Sequence, residues 1–139
     1  MHRRSLSAAA LLLAACSASA KDQGTLRPAA TLQTPAVDSG GVLVVTLSAT
    51  NPGTTPVRVT TPNSCVANAR IVDSAGTVVG SPTILCSQKE VHYQFPAGET
   101  REWDVGVDVR VPRGSYRVIA TLALGQAAQL RDTLALTVR

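Results

Sequence analysis

Apolar and polar residues alternate along most of this chain, and a period of two is typical of strands that bury one face. In residues 103–109 every odd-numbered residue is apolar and every even-numbered residue is Asp or Gly. In residues 42–50, Leu43, Val45 and Leu47 share one face. Val44 interrupts the opposite, polar face, so this strand is predicted as much from β-branched residues as from alternation.

Turn residues separate these strands. Pro, Asn, Asp or Gly occupy the points where strand pairing must stop. About eight short strands with frequent turns predict an all-β fold, an immunoglobulin-like β-sandwich of about seven to nine antiparallel strands spanning 25–139. Residues 125–129 are interpreted as a hairpin connection. The other predicted strands cover 57–60, 70–72, 78–79, 91–95, 116–124 and 134–138, and the turns cover 38–41, 51–53, 73–76, 96–99 and 112–114.

The predicted core consists of Val, Leu, Ile and Ala side chains around a few aromatic rings. The chain contains only one Trp, two Tyr and one Phe. We expect Trp103 and Tyr116 to fill the core, together with Tyr93 and Phe95. Replacing a buried Trp103 by Ala would cost about 3–5 kcal/mol.

The first residues have the pattern of an export signal. Arg3 and Arg4 precede a ten-residue stretch, 6–15, of Ala and Leu interrupted only by Ser7. Such a stretch would span about 15 Å as a helix, half of a bilayer core, which indicates a signal segment and not a membrane-spanning helix. One possible cleavage site is the small-residue sequence at 18–20, which would leave Lys21 as the first mature residue.

A second cleavage site competes with the first. Residues 13–16, Leu-Ala-Ala-Cys, resemble the bacterial lipobox and lie at the end of the apolar stretch. The resemblance implies a signal peptide over 1–15, cleavage before Cys16, acylation of Cys16, and a polar tether over 16–24. It also implies attachment to a membrane of the cell envelope. Ser17, which is not Asp, favours the outer membrane, with the protein facing the periplasm.

Three cysteines give further information on the compartment. If Cys16 carries lipid, Cys65 and Cys86 remain as a pair, and an exported chain meets oxidising conditions. A disulfide is therefore expected, worth roughly 3 kcal/mol for a loop of about 20 residues. Beyond the signal segment His92 is the only histidine and no Cys-x-x-Cys spacing occurs, so no metal or cofactor is predicted.

Charge and motifs argue against several functional classes. The formal charge of +4 falls to +2 without residues 1–15, and aromatic residues make up 3% of the chain, so nucleic-acid binding is not expected.

His92 alternates out of phase with its apolar neighbours, which places it in solvent. Asp104 and Asp108 are expected on a polar outer face, paired loosely with Arg101 and Arg110. No Gly-x-Ser-x-Gly elbow is present, so a hydrolase or lyase is the weakest hypothesis.

Residues 42–124 resemble the BsuPI-type intracellular proteinase inhibitor domain. The matching motifs are Asp73 and Gly76 in a strand–turn–strand segment, FPAGE at 95–99 and GSYRV at 114–118. The resemblance implies an immunoglobulin-like sandwich and inhibition of a proteinase. The chain departs from the family in its export signal and in its Cys65/Cys86 pair. It also carries Thr61, Val79 and Gly80 where the family often has aromatic residues.

Two hypotheses of function follow. The first is a membrane-anchored, non-catalytic immunoglobulin-like module that binds an unknown protein partner through loops or strand edges. The alternative is an inhibitor of a serine protease, which presents an extended loop to the protease cleft. The candidate loop is 62–68, because a disulfide at Cys65 would pre-organise it. Its candidate binding residues are Pro62, Asn63, Ser64 and Val66.

Overall fold

The computed structural model describes residues 25–139, and it folds them into ten β-strands with no helix. This confirms the predicted all-β class. The strands are β1 (Arg27–Leu32), β2 (Ala36–Val37), β3 (Val42–Thr50), β4 (Val57–Thr61), β5 (Ala67–Val72), β6 (Val78–Gly80), β7 (Val91–Phe95), β8 (Thr100–Asp108), β9 (Gly114–Leu124) and β10 (Ala128–Val138).

The strands form a β-sandwich of immunoglobulin-like type. One sheet has the order β1-β3-β8, the second has the order β2-β10-β9-β5-β6, and β4 pairs with β7 in a two-stranded sheet. All pairings are antiparallel except that of β2 with β10, which is parallel. The chain crosses from the first sheet to the second at Pro35, between β1 and β2.

The alternating strands bury the faces that the sequence predicts. β3 and β8 pair in a regular antiparallel register in which Leu47 lies opposite Trp103 and Leu43 opposite Val107. The hydrophobic side chains of all three sheets meet in a single core. Fully buried side chains at its centre include Leu43, Val45, Leu47, Val107, Val118, Ala120, Leu122 and Leu124.

The aromatic residues divide into two groups. Phe95 and Tyr93 are buried, as expected. Trp103 and Tyr116 are only half-buried, which corrects their prediction as core side chains. Trp103 lies on β8, the outer strand of its sheet, and packs edge-on against Tyr93 with ring centroids 6.0 Å apart. The Tyr116 hydroxyl donates to the carbonyl oxygen of Pro112 at 2.8 Å, which resembles the tyrosine corner of immunoglobulin-like folds.

Asn51 organises the turn at one end of the sandwich. Its side chain is 1% exposed. Its Nδ2 donates to the carbonyl oxygens of Thr55 at 2.8 Å and Phe95 at 2.9 Å, and its Oδ1 accepts from the Gly53 N–H at 3.0 Å. The amide thus joins the β3–β4 connection to the end of β7. Gly98, in the facing turn, has φ of 76° and donates its N–H to the Asn51 carbonyl oxygen.

Candidate functional site

A disulfide connects two non-strand segments beside the sandwich. Cys65 and Cys86 are bonded, with Cα atoms 5.4 Å apart and 21 positions apart in sequence, which confirms the predicted pair. Cys65 lies between β4 and β5, and Cys86 lies between β6 and β7. We call residues 62–66 and 81–90 together the loop pair.

Hydrogen bonds reinforce this cross-link. The Ser87 N–H donates to Ser64 Oγ at 2.7 Å, and the Ser64 N–H donates to the Ser87 carbonyl oxygen at 3.1 Å. Within the first loop, the Cys65 N–H donates to Asn63 Oδ1 at 2.9 Å, and Thr61 Oγ1 donates to the Asn63 carbonyl oxygen at 2.7 Å. The disulfide and these hydrogen bonds therefore join the two loops into one structural unit.

The predicted binding residues occupy different environments within that unit. Pro62 is exposed, whereas Asn63 and Ser64 are half-buried and make the internal hydrogen bonds above. The side chain of Val66 is 4% exposed and belongs to the core, and its carbonyl oxygen accepts from the Ala123 N–H at 2.8 Å. Val66 thus anchors the first loop to β9.

The second loop presents the outward apolar surface. Leu85 is 95% exposed and Ile84 is 38% exposed, although Cys86 beside them is tied to the body of the protein. Residues 81–90 have no regular secondary structure. No motif in the sequence assigned a role to this segment. The available signal was an Ile-Leu pair placed directly before a cysteine in a segment without strand alternation.

A groove separates this loop from β8. It has a volume of about 280 Å³, and its walls include Pro82 and Ile84 on the loop side and Trp103 and Val105 on the β8 side. Leu85 also lines it, so the exposed side chain and the half-buried indole belong to one continuous surface.

Polar groups with possible acid–base chemistry lie on the β4–β7 surface. His92 Nδ1 is 2.9 Å from Thr60 Oγ1, and His92 Nε2 is 3.1 Å from Glu90 Oε1. The order hydroxyl, imidazole, carboxylate matches that of a nucleophilic triad. The His92 side chain is 71% exposed and that of Glu90 63%, in agreement with the predicted solvent position of His92. In open solvent these groups lack the desolvated pocket that strengthens electrostatic catalysis.

The acidic residues of β8 form a solvated outer face. Asp108 lies 3.4 Å from the Arg110 guanidinium, as predicted, and Asp104 accepts a hydrogen bond from Thr46 Oγ1 at 2.6 Å. Arg101 instead lies over the rings of Tyr93 and Phe95, 5.6 and 5.7 Å from their centroids. Within residues 25–139, no group of three or more His, Cys, Asp or Glu side chains is arranged to hold a metal ion.

The N-terminal predictions fall outside the described residues. These are the signal segment 1–15, the acylation site Cys16 and the tether 16–24. Within 25–139, no helix is long and apolar enough to cross a membrane.

Comparisons with known proteins bear on the fold alone. No protein-family model and no curated protein matches this sequence. Spo0M, a sporulation control protein from Bacillus subtilis, superimposes with a TM-score of 0.52 at 12% identity over 84% of this chain. The chain spans 50% of that protein's length.

Two further solved structures have similar scores. The C-terminal domain of wzt gives a TM-score of 0.51 at 12% identity, covering 84% of this chain and 75% of that one. The β-glucosidase EmGH1 from Erythrobacter marinus gives 0.50 at 15% identity, covering 83% of this chain but only 15% of the enzyme. At these identities the likeness shows a shared β-sandwich.

Proposed function

We propose that this protein is a lipid-anchored module of the cell envelope that binds a protein partner through the loop pair and performs no catalysis. The observation that carries the proposal is the 95% exposure of Leu85 next to a disulfide-bonded cysteine. Burial of apolar area contributes about 25 cal/mol per Å². A Leu held in water by a fixed loop is therefore a binding anchor, because a partner that covers it gains free energy.

Pre-organisation of the loop supports the same proposal. Binding by a flexible loop loses conformational entropy when the loop becomes ordered. Here Cys86 is covalently fixed and Ser87 is hydrogen-bonded to Ser64, so the chain that follows Leu85 is already ordered. The half-buried ring of Trp103 adds an aromatic contact of the kind that is enriched in protein interfaces.

The proposed location rests on the disulfide and on the N-terminal sequence. The Cys65–Cys86 disulfide supports an oxidising, extracytoplasmic compartment. The lipobox-like residues 13–16 support acylation of Cys16, and acyl chains contribute about 0.8 kcal/mol per buried CH₂ to membrane attachment. Ser17 favours the outer membrane, with the sandwich in the periplasm.

Affinity purification from detergent-solubilised envelopes tests the proposal. Full-length tagged protein is compared with Leu85→Thr and with Val42→Thr, a matched change of another exposed apolar residue on β3. A partner retained by the unchanged protein and by Val42→Thr, but lost from Leu85→Thr, would support the loop pair as the contact surface. Equal retention by all three proteins would refute it.

The second candidate function is inhibition of a serine protease. The resemblance of residues 42–124 to the BsuPI-type domain suggests it, and the exposure of Leu85 favours it. A loop that exposes an apolar side chain and is fixed at the next residue by a disulfide is suited to insertion into a protease cleft. We therefore propose Leu85, in addition to the predicted 62–68 loop, as a side chain that would enter a specificity pocket.

A change of specificity tests this second candidate. The purified protein should slow a protease that prefers apolar residues, and Leu85→Arg should shift inhibition to a protease that prefers Arg or Lys. Failure to slow any protease of either preference at micromolar protein would exclude inhibition. That result would leave the binding-module proposal open to its own test.

A further inference from the structure

The outer face of the five-stranded sheet contains a second surface feature, separate from the loop pair. A shallow cavity of about 290 Å³ lies across β5 and β9 and extends to Arg131 on β10. Arg70 on β5 pairs with Ile119, and Arg131 on β10 pairs with Thr121. Since adjacent strands are about 4.8 Å apart, the two arginines stand on strands roughly 10 Å apart, with β9 between them.

The charge at this cavity is not neutralised by neighbouring carboxylates. Its walls include no Asp or Glu side chain. The ion pairs within the described part of the chain join His92 to Glu90, Arg110 to Asp108 and Arg139 to Asp38, so neither Arg70 nor Arg131 takes part in one. Two positive charges thus face the same space.

The remaining walls combine hydrogen-bonding and apolar groups. Asn68 and Thr121 pair across β5 and β9, and both line the cavity. Asn68 Oδ1 accepts from the Ala69 N–H at 2.8 Å, so its Nδ2 is the group that remains for a ligand. Ile119, Val72 and Val78 supply the apolar part of the surface. No aromatic ring lines the cavity, so a stacked base or sugar ring has no platform.

We propose that this cavity binds the phosphate group of a phosphate ester, held between Arg70 and Arg131. A guanidinium presents N–H donors in a fixed fork that matches phosphate oxygens. Asn68 Nδ2 and the Thr121 hydroxyl supply neutral donors, and the carbon adjoining the ester lies against Ile119. The ligand has two possible sources, a soluble phosphate ester or the headgroup of an anionic phospholipid.

Binding is measured with two probes, glycerol 3-phosphate and vesicles of phosphatidylcholine with or without phosphatidylglycerol. Every arm uses the full chain with Cys16→Ser, so that no acyl chain contributes. The test variant is Arg70→Gln/Arg131→Gln. The matched control is Arg27→Gln/Arg58→Gln, which removes the same charge from exposed positions on β1 and β4. Thermal melts verify that both variants fold.

We expect Arg70→Gln/Arg131→Gln to weaken binding by about tenfold or more, since both charged donors to the phosphate are lost, and we expect little change in the control. Loss of glycerol 3-phosphate binding identifies a soluble ester as a sufficient ligand. Loss confined to phosphatidylglycerol vesicles identifies a lipid headgroup. Absence of binding to both probes, or equal weakening in both variants, overturns the proposal.

Discussion

Ser64 and Ser87, 23 positions apart in sequence, are joined by two hydrogen bonds. The Ser87 N–H donates to Ser64 Oγ at 2.7 Å, and the Ser64 N–H donates to the Ser87 carbonyl oxygen at 3.1 Å. Each serine is the chain neighbour of a disulfide cysteine. The disulfide and the hydrogen bonds therefore connect the two loops at adjacent residues, and they fix the backbone directly after Leu85. The loop pair is thus held together as one surface.

Removal of the disulfide should destabilise the fold. Cys65→Ala/Cys86→Ala, which leaves no free thiol at the site, is expected to lower the free energy of unfolding by roughly 3 kcal/mol, because the unfolded chain gains freedom. Urea unfolding measures the change. As a control, a reductant should lower the midpoint of the unchanged protein and leave that of the variant where it is. An unchanged midpoint in the double variant would contradict the stabilising role.

Asn51→Ala should be among the more damaging single changes at the turns. It removes the amide N–H donors to the Thr55 and Phe95 carbonyl oxygens, and the loss of the buried bond to Phe95 is expected to cost about 1–3 kcal/mol. Chemical denaturation measures the loss. Gln126→Ala, at an exposed position of the β9–β10 hairpin, is the control and should change little. Equal effects of the two changes would refute the structural role of the amide.

Tyr116→Phe isolates the contribution of one hydroxyl. The ring stays in place, and only the hydrogen bond to the Pro112 carbonyl oxygen is lost. We expect a loss of about 1 kcal/mol in the free energy of unfolding, typical of a single neutral hydrogen bond. A stability equal to that of the unchanged protein would show that water replaces the bond without cost.

Acylation is predicted at Cys16 and not at the other cysteines. Cells fed labelled palmitate should incorporate the label into the unchanged protein and into Cys65→Ala/Cys86→Ala, but not into Cys16→Ser. Fractionation should move Cys16→Ser from the membrane to the soluble envelope fraction. Label retained in Cys16→Ser would contradict the lipid anchor.

The strands that the sequence predicts well are those with strong local patterns. β8 alternates strictly, and its alternate residues Val105 and Val107 are buried as expected. β1 and β2 were not predicted as separate strands, because β1 contains Pro28 and β2 has only two residues, too few to show a period. β10 starts at Ala128, well before the predicted 134, because its pairing with β9 extends into the hairpin.

The candidate site depends on contacts that local pattern does not encode. The disulfide was predictable from the cysteines together with the export signal, which assigns Cys16 to lipid and leaves one pair. The exposure of Leu85 was not predictable, because the segment that carries it has no regular secondary structure and is held by contacts with residues more than 20 positions away. The position of Arg70 and Arg131 on either side of β9 was not predictable either, because it depends on the registers in which β5 and β10 pair with β9.

Site-specific photocrosslinking in living cells shows whether the loop pair contacts a partner. A photoreactive residue is placed at Leu85 and, in a matched protein, at the exposed Val42. We expect a discrete adduct with an envelope protein from position 85 and none from position 42. The absence of an adduct at 85, or the same adduct at both positions, would contradict the claim that the loop pair is the contact surface.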